Sequence, residues 1–416
     1  MNDRLNPNMM LEATRLTRAN RLAEATALLQ RMLRGETVPD IISGSAGKVI
    51  LAGGGPPIID ATTETISKAA SPLLGAATTV KPGRSGVLRT LLDRVSRRSG
   101  FGFQGLRQHV SVSTPDIVPA GGKFTAATYS NPAGTRAYKL YVPSRYEGQT
   151  LPLIVMLHGC TQSPDDFAAG TRMNLIAEEQ TCLVAYPAQS TEANPAKCWN
   201  WFRPTDQRRG EGEPSLVAGI TRQVMREYSV DPQRVYIGGL SAGAAAAAVM
   251  GATYPDLYAA IGVHSGLACG AADDLPSAFV AMRNGDMADT LKSGAISPLI
   301  GDRQTVPTIV FHGDQDTTVH PRNGDQVIAR SMRSTTYSRK TVHRGRVPGE
   351  YAYTRTIHTD SSGRVILEHW EIHGAGHAWS GGSPAGSYTD PRGPDAAREM
   401  LRFFLEHRVQ PPQNGR

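Results

Sequence analysis

The sequence predicts an α/β protein, a mostly parallel sheet flanked by helices, preceded by an N-terminal helical hairpin and a flexible linker. From about Phe124 onward, apolar strand-like segments alternate with segments of helical spacing. Between Glu36 and about Gly121 the chain breaks instead into Gly-, Pro-, Ser- and Thr-rich pieces. A third observation is local: the apolar stretch Arg234-Val235-Tyr236-Ile237-Gly238 enters Gly239-Leu240-Ser241-Ala242-Gly243 and continues at once into a run of small residues, Ala244 to Ala248 then Val249-Met250-Gly251. The domains expected are therefore a helical hairpin over 1–36, a largely irregular linker over 37–121 and a folded domain over 122–408.

In chain order, residues 8–34 read as two short helices, with Leu16, Leu22, Leu28, Leu29, Met32 and Leu33 at helical spacing and Gly35 as a stop. Arg21 to Ala25 looks like half of a tetratricopeptide unit, and a single copy cannot build a solenoid. In the linker, Ala52-Gly53-Gly54-Gly55-Pro56-Pro57 invites a phosphate-loop reading, which the missing Lys-Ser/Thr and the prolines argue against. Val87 to Val95 has the spacing of one short helix. Beyond it, strands are expected at Ala137–Val142, Leu151–Leu157, Thr181–Tyr186, Arg234–Gly238, Thr308–Phe311 and, last, Val365–Ile372. Ser163–Glu179, Leu216–Tyr228 and the closing Pro394–His407 have helical spacing.

Composition narrows the function classes. The chain has 416 residues and is 40% hydrophobic, enough for one sizeable core plus an attachment. No apolar run reaches the ~18 residues of a membrane span, and the Arg-studded N-terminus lacks the apolar block of a secretory signal, so Sec export is not expected. Of the net charge of +7, a surplus of six falls in residues 1–121, fifteen Lys/Arg against nine Asp/Glu. Such an arm can meet an anionic surface or granule, or be a solvated face; no nucleic-acid partner is expected. Cys160, Cys182, Cys198 and Cys269 have no metal-ligand spacing, so no metal is expected, and which of them pair is left open.

The chemistry starts from Ser241. Glycine at positions 239 and 243 removes side chains that would clash where strand and helix cross, so the serine stands on a sharp turn. A serine hydroxyl needs a histidine to take its proton and a carboxylate to orient that imidazole. Downstream, Phe311-His312-Gly313-Asp314-Gln315-Asp316 leaves a strand at its C-terminal end, where open α/β sheets carry their sites. Asp316 is the expected acid, with Asp314 turning the loop. After the last strand, Gly374-Ala375-Gly376-His377-Ala378-Trp379 places His377 between glycines as the base, while His373, His358, His369 and His407 read as structural or surface histidines. The order Ser, Asp, His is that of the α/β-hydrolases. Oxyanion donors are expected at the amide of Ala242 and, in the His158-Gly159-Cys160-Thr161-Gln162 turn, at the amide of Cys160. Trp199, Trp201 and Trp379 are candidate walls for the substrate.

Together, Leu157 to Gln162, Cys198-Trp199-Asn200-Trp201-Phe202, Gly239 to Gly243 and Gly376 to Gly382 resemble the polyhydroxybutyrate depolymerase family of esterases, over about residues 122–408. The resemblance implies an α/β-hydrolase fold shared with acetylxylan and feruloyl esterases, and ester hydrolysis on Ser241, Asp316 and His377 with no cofactor. It implies as substrate a short-chain polyhydroxyalkanoate, polymer or oligomer, and an extracellular location that the absent signal does not match. A carbohydrate esterase is the alternative within this chemistry. A granule- or surface-binding protein with an idle hydrolase domain is the alternative of another class. A peptidase of the same fold is disfavoured because no propeller-like domain is seen to precede the hydrolase.

Overall fold

A computed structural model describes residues 117–285, 306–333, 337–348 and 350–409 of the chain. The hairpin expected over 1–36, the short helix at Val87–Val95 and nearly all of the 37–121 linker lie outside them. Near the linker's end Ile117 is packed: its side chain is buried and its carbonyl accepts from Asn174 Nδ2 at 3.0 Å.

The described strands of the main sheet are β1 (Lys123–Asn131), β2 (Gly134–Val142), β3 (Leu151–Leu157), β4 (Leu183–Pro187), β5 (Val230–Leu240), β6 (Ala260–His264), β7 (Thr308–Gly313), β8 (Arg339–Arg346), β9 (Ala352–Thr359) and β10 (Val365–His373). They stand in the order β1-β2-β4-β3-β5-β6-β7-β10-β9-β8. From β4 through β10 all neighbours are parallel, and the two ends are antiparallel. A parallel strand is covered on both faces, which is why Leu151-Pro152-Leu153-Ile154-Val155-Met156-Leu157 is buried throughout. Its period of two still sorts the sides. Leu153, Val155 and Leu157 join a cluster with α3 (Gly212–Glu227) and α4 (Ala242–Thr253). Ile154 and Met156 join the opposite cluster, with α1 (Pro164–Thr171), α2 (Met173–Gln180) and α7 (Ala396–Leu405). Helices α5 (Leu275–Asn284) and α6 (Arg322–Arg333) complete the first side, and a small pair, β11 (Trp379–Ser380) with β12 (Thr389–Asp390), stands apart.

The fold matches the expected α/β class, with differences in detail. The helical stretch read over Ser163–Glu179 is two helices, because Arg172 takes a left-handed conformation (φ 56°) that ends α1 and begins α2. Its guanidinium bonds Gly381 O at 2.9 Å, so the break ties the helix pair to the loop after β11. Strands β1, β6, β8 and β9 and helices α5 and α6 were not anticipated. β8 reads Arg339-Lys340-Thr341-Val342-His343-Arg344-Gly345-Arg346, an exposed edge without the apolar alternation that marks a strand. Among the described residues no helix is long and apolar enough to cross a membrane.

Candidate active site

The parallel strands end on one edge of the sheet, and β3, β5, β7 and β10 each deliver a loop there. Leu240 closes β5, and Ser241 follows with φ 57° and ψ −119°, a conformation costing a non-glycine residue about 1–3 kcal/mol. The turn persists because its surroundings leave no alternative. A Cβ on Gly243 would stand 2.1 Å from the Leu157 carbonyl oxygen and one on Gly239 2.5 Å from the same atom. The Ser241 amide donates to His264 O at 2.9 Å.

His377, in the loop after β10, has Nε2 3.0 Å from Ser241 Oγ and Nδ1 2.7 Å from Asp316 Oδ2. The other oxygen of Asp316 accepts the amides of Thr318 (2.9 Å) and Val319 (2.8 Å). Burial alone would push the Asp316 carboxyl up. Hydrogen bonds from His312 and His377 outweigh burial and hold it well below the usual carboxylate range. His312 is buried, donates to Val319 O at 2.8 Å and has the same nitrogen 3.4 Å from Asp316 Oδ2. Asp314 stays outside this chain of contacts: it accepts the Gly374 amide at 2.7 Å and lies 3.1 Å from His373 Nδ1, bracing the loop as expected.

The turn after β3 is held from several directions. His158 Nε2 accepts the Gln189 amide at 3.0 Å, which leaves Nδ1 to donate to Gly159 O at 2.7 Å; burial pushes this imidazole down to about 4. The Thr161 amide donates to Ala196 O at 2.7 Å, and a disulfide joins Cys160 to Cys198. That bond settles the pairing the sequence left open; Cys182 and Cys269 are free thiols. Glu213, buried on α3, accepts the Asn200 amide at 2.8 Å and the side-chain amides of Asn200 and Gln189. The segment that carries Cys198 is thereby fixed to the helix layer. No protein acceptor takes the Cys160 amide among the described residues, and Ala242 opens α4, where a helix leaves its amides unbonded.

The tryptophans stand elsewhere than expected. Trp199, Trp201 and Trp379 are 0%, 6% and 1% exposed, too deep to wall a substrate. They pack into the core, Trp199 and Trp201 in the cluster that holds α3 and α4 and Trp379 in the opposite one. The Trp199 indole donates to His158 O at 3.1 Å, and Trp201 meets Phe202 edge to face at 5.7 Å. Trp379 stacks on His264 at 4.9 Å and meets Phe167 edge-on at 5.5 Å. His264 accepts the Ser380 amide at 3.0 Å, and burial pushes it down to about 3. His158, His264, His312 and Glu213 were not singled out for this supporting work from sequence, since a buried polar side chain carries no periodic signal.

Residues 136–351, about half of the chain, match the sequence family described as Esterase PHB depolymerase. The chain is similar to poly(3-hydroxyalkanoate) depolymerase C of Paucimonas lemoignei, 31% identical over 60% of this chain and 59% of that protein. It is also similar to the probable acetylxylan esterase A of Neosartorya fischeri, 29% identical over 47% of this chain and 54% of that one. Thus the chain spans less than two thirds of the length of either relative. Feruloyl esterase B of Thermothelomyces thermophilus is 28% identical over 48% of this chain and 69% of its own. Among solved structures, an acetyl xylan esterase from Aspergillus awamori superposes on 68% of this chain and 99% of its own with TM-score 0.51 and 19% identity, a likeness of fold.

Proposed function

Because this chain belongs to the PHB depolymerase family of esterases, we propose that it is a serine esterase that cleaves carboxylic esters through an acyl-enzyme on Ser241. The observation that carries the reading is the continuous contact from Ser241 Oγ through His377 to Asp316, 3.0 and 2.7 Å. His377 Nε2 takes the hydroxyl proton as Oγ attacks the ester carbonyl carbon. Asp316 holds the Nδ1 proton in place and stabilises the imidazolium that forms. The amides of Cys160 and Ala242 donate to the oxyanion, each contributing about 3 kcal/mol. When the tetrahedral adduct collapses, the alcohol leaves with the proton from His377. Water then gives a proton to His377 and attacks the acyl carbon, which releases the acid and restores the serine.

The substrate proposed is a short-chain polyhydroxyalkanoate, as polymer or oligomer, supported by the depolymerase relative. A second reading, removal of acetyl or feruloyl groups from xylan, is favoured by the acetylxylan and feruloyl esterase relatives. Turnover of 3-hydroxybutyrate oligomers against acetylated and feruloylated xylan separates the two. Ser241→Ala tests the mechanism: kcat on p-nitrophenyl acetate should fall by about four or more orders of magnitude, and an active Ser241→Ala variant would refute it.

A further inference from the structure

The loop between β11 and β12 ends in Tyr388, a large side chain that the fold leaves exposed. Its preceding residues are tightly anchored: the Ser387 amide donates to Asp166 Oδ1 at 2.9 Å, and Ser387 O accepts Gln162 Nε2 at 3.0 Å. Tyr388 O accepts the Trp379 amide at 2.7 Å, two residues beyond His377. Despite these anchors, Tyr388 has φ 53° and is 42% exposed. Its hydroxyl lies 3.3 Å from Thr161 Oγ1. Thr161, which follows Cys160, is itself at φ 67° and bonds Cys160 O at 2.5 Å. Two strained non-glycine residues thus meet where the Cys160 turn and the His377 loop come together. An exposed ring returns little burial for its strained backbone, and strain of this kind gathers at ligand clamps.

We propose that Tyr388, carried on Thr161, is a substrate subsite beside Ser241, its ring packing on the apolar aliphatic repeat next to the scissile ester of a hydroxyalkanoate oligomer. The proposal rests on the esterase reading above and adds a specificity-determining residue to it. The ring supplies a flat apolar face without charge, which suits a methyl-bearing chain. The backbone anchors at Ser387 and Tyr388 hold that face in place before substrate arrives, with the hydroxyl contact to Thr161 a minor addition, so little ordering remains to oppose binding.

The test compares kcat and KM on the linear trimer of 3-hydroxybutyrate with those on p-nitrophenyl acetate, which has no such repeat, in the full-length protein. Tyr388→Ala is expected to lower kcat/KM for the trimer about tenfold more than for p-nitrophenyl acetate, mainly through KM. Tyr388→Phe, which keeps the ring, should retain most of the preference. Equal losses on both substrates, an unchanged ratio, or a Phe variant as impaired as the Ala variant would each overturn the subsite while Ser241→Ala remains inactive. If Ser241→Ala retains turnover, or the unmodified protein does not cleave the trimer, the underlying reading fails and the subsite with it.

Discussion

Asp316 is shared between two imidazoles, and the sharing defines what each neighbour does. His377 meets Oδ2 at 2.7 Å on the solvent side, while His312 approaches the same oxygen at 3.4 Å from the buried side. Asp314, two residues earlier, touches neither His377 nor Ser241 and braces Gly374 and His373. Asp316→Asn should therefore lower kcat on p-nitrophenyl acetate by about 10⁴-fold, the scale set by losing the carboxylate that fixes the base's tautomer. Asp314→Asn should cost less than about tenfold, and the reverse ranking would exchange the two assignments. The residues proposed for this chemistry were legible in the sequence because each sits in a phrase with a steric or chemical reason: Ser241 between two glycines, Asp316 at a strand end, His377 in a glycine loop. Tyr388 and His312 were not, since a strained φ or a buried second contact leaves no trace in spacing. The tryptophans misled for a related reason, as a large ring is equally at home in a core and at a site.

Among the elements, the turn after β3 depends most on support from elsewhere. Leu157-His158-Gly159-Cys160 has no regular structure beyond the strand, so its shape comes from Gln189, Ala196, Trp199 and the Cys160–Cys198 bond. That bond spans 38 residues of sequence, for which loop-closure entropy gives about 3–4 kcal/mol of stabilisation. Reduction, or Cys198→Ser, is expected to lower kcat by roughly 10–100-fold, since one proposed oxyanion donor loses its anchor. Its effect on KM should be smaller, and a variant with unchanged kcat would detach the bond from catalysis. Four cysteines without a spacing motif admit several pairings, which is why this connection was not readable beforehand. The β5–α4 crossing was readable, because only glycine clears the Leu157 carbonyl at positions 239 and 243. The β8–β9 hairpin was hidden by its composition, an exposed strand rich in cations that gives no alternation to detect.

At the scale of the whole molecule, the buried histidines tie stability to pH. His158 is held at about 4 and His264 at about 3, both pushed down by burial from an ordinary value of 6.5. Each is neutral in the folded protein and takes a proton in the unfolded chain, so their stabilisation is full above about pH 6.5 and is lost as pH falls toward 4 for His158 and 3 for His264. Glu213 and Asp206 act oppositely, since burial raises both and their contribution is lost as pH rises. The His158 component can be isolated by comparing urea unfolding of the wild type with His158→Gln at pH 7 and pH 4.5. The penalty of the substitution should shrink by ~2–3 kcal/mol at the lower pH, and a constant penalty would contradict the neutral state. The sheet's outer strand has a different consequence. β8 pairs with β9 on one side, and no described strand follows on the other. Two copies meeting β8 to β8 would press Arg339, Lys340, Arg344 and Arg346 of one against the same residues of the other, so this strand resists self-association. That resistance is Coulombic, with a screening length that falls from ~10 Å at 0.1 M salt to ~3 Å at 1 M. The protein should therefore stay dispersed in dilute buffer and begin to scatter light as salt is raised, reversibly on dilution.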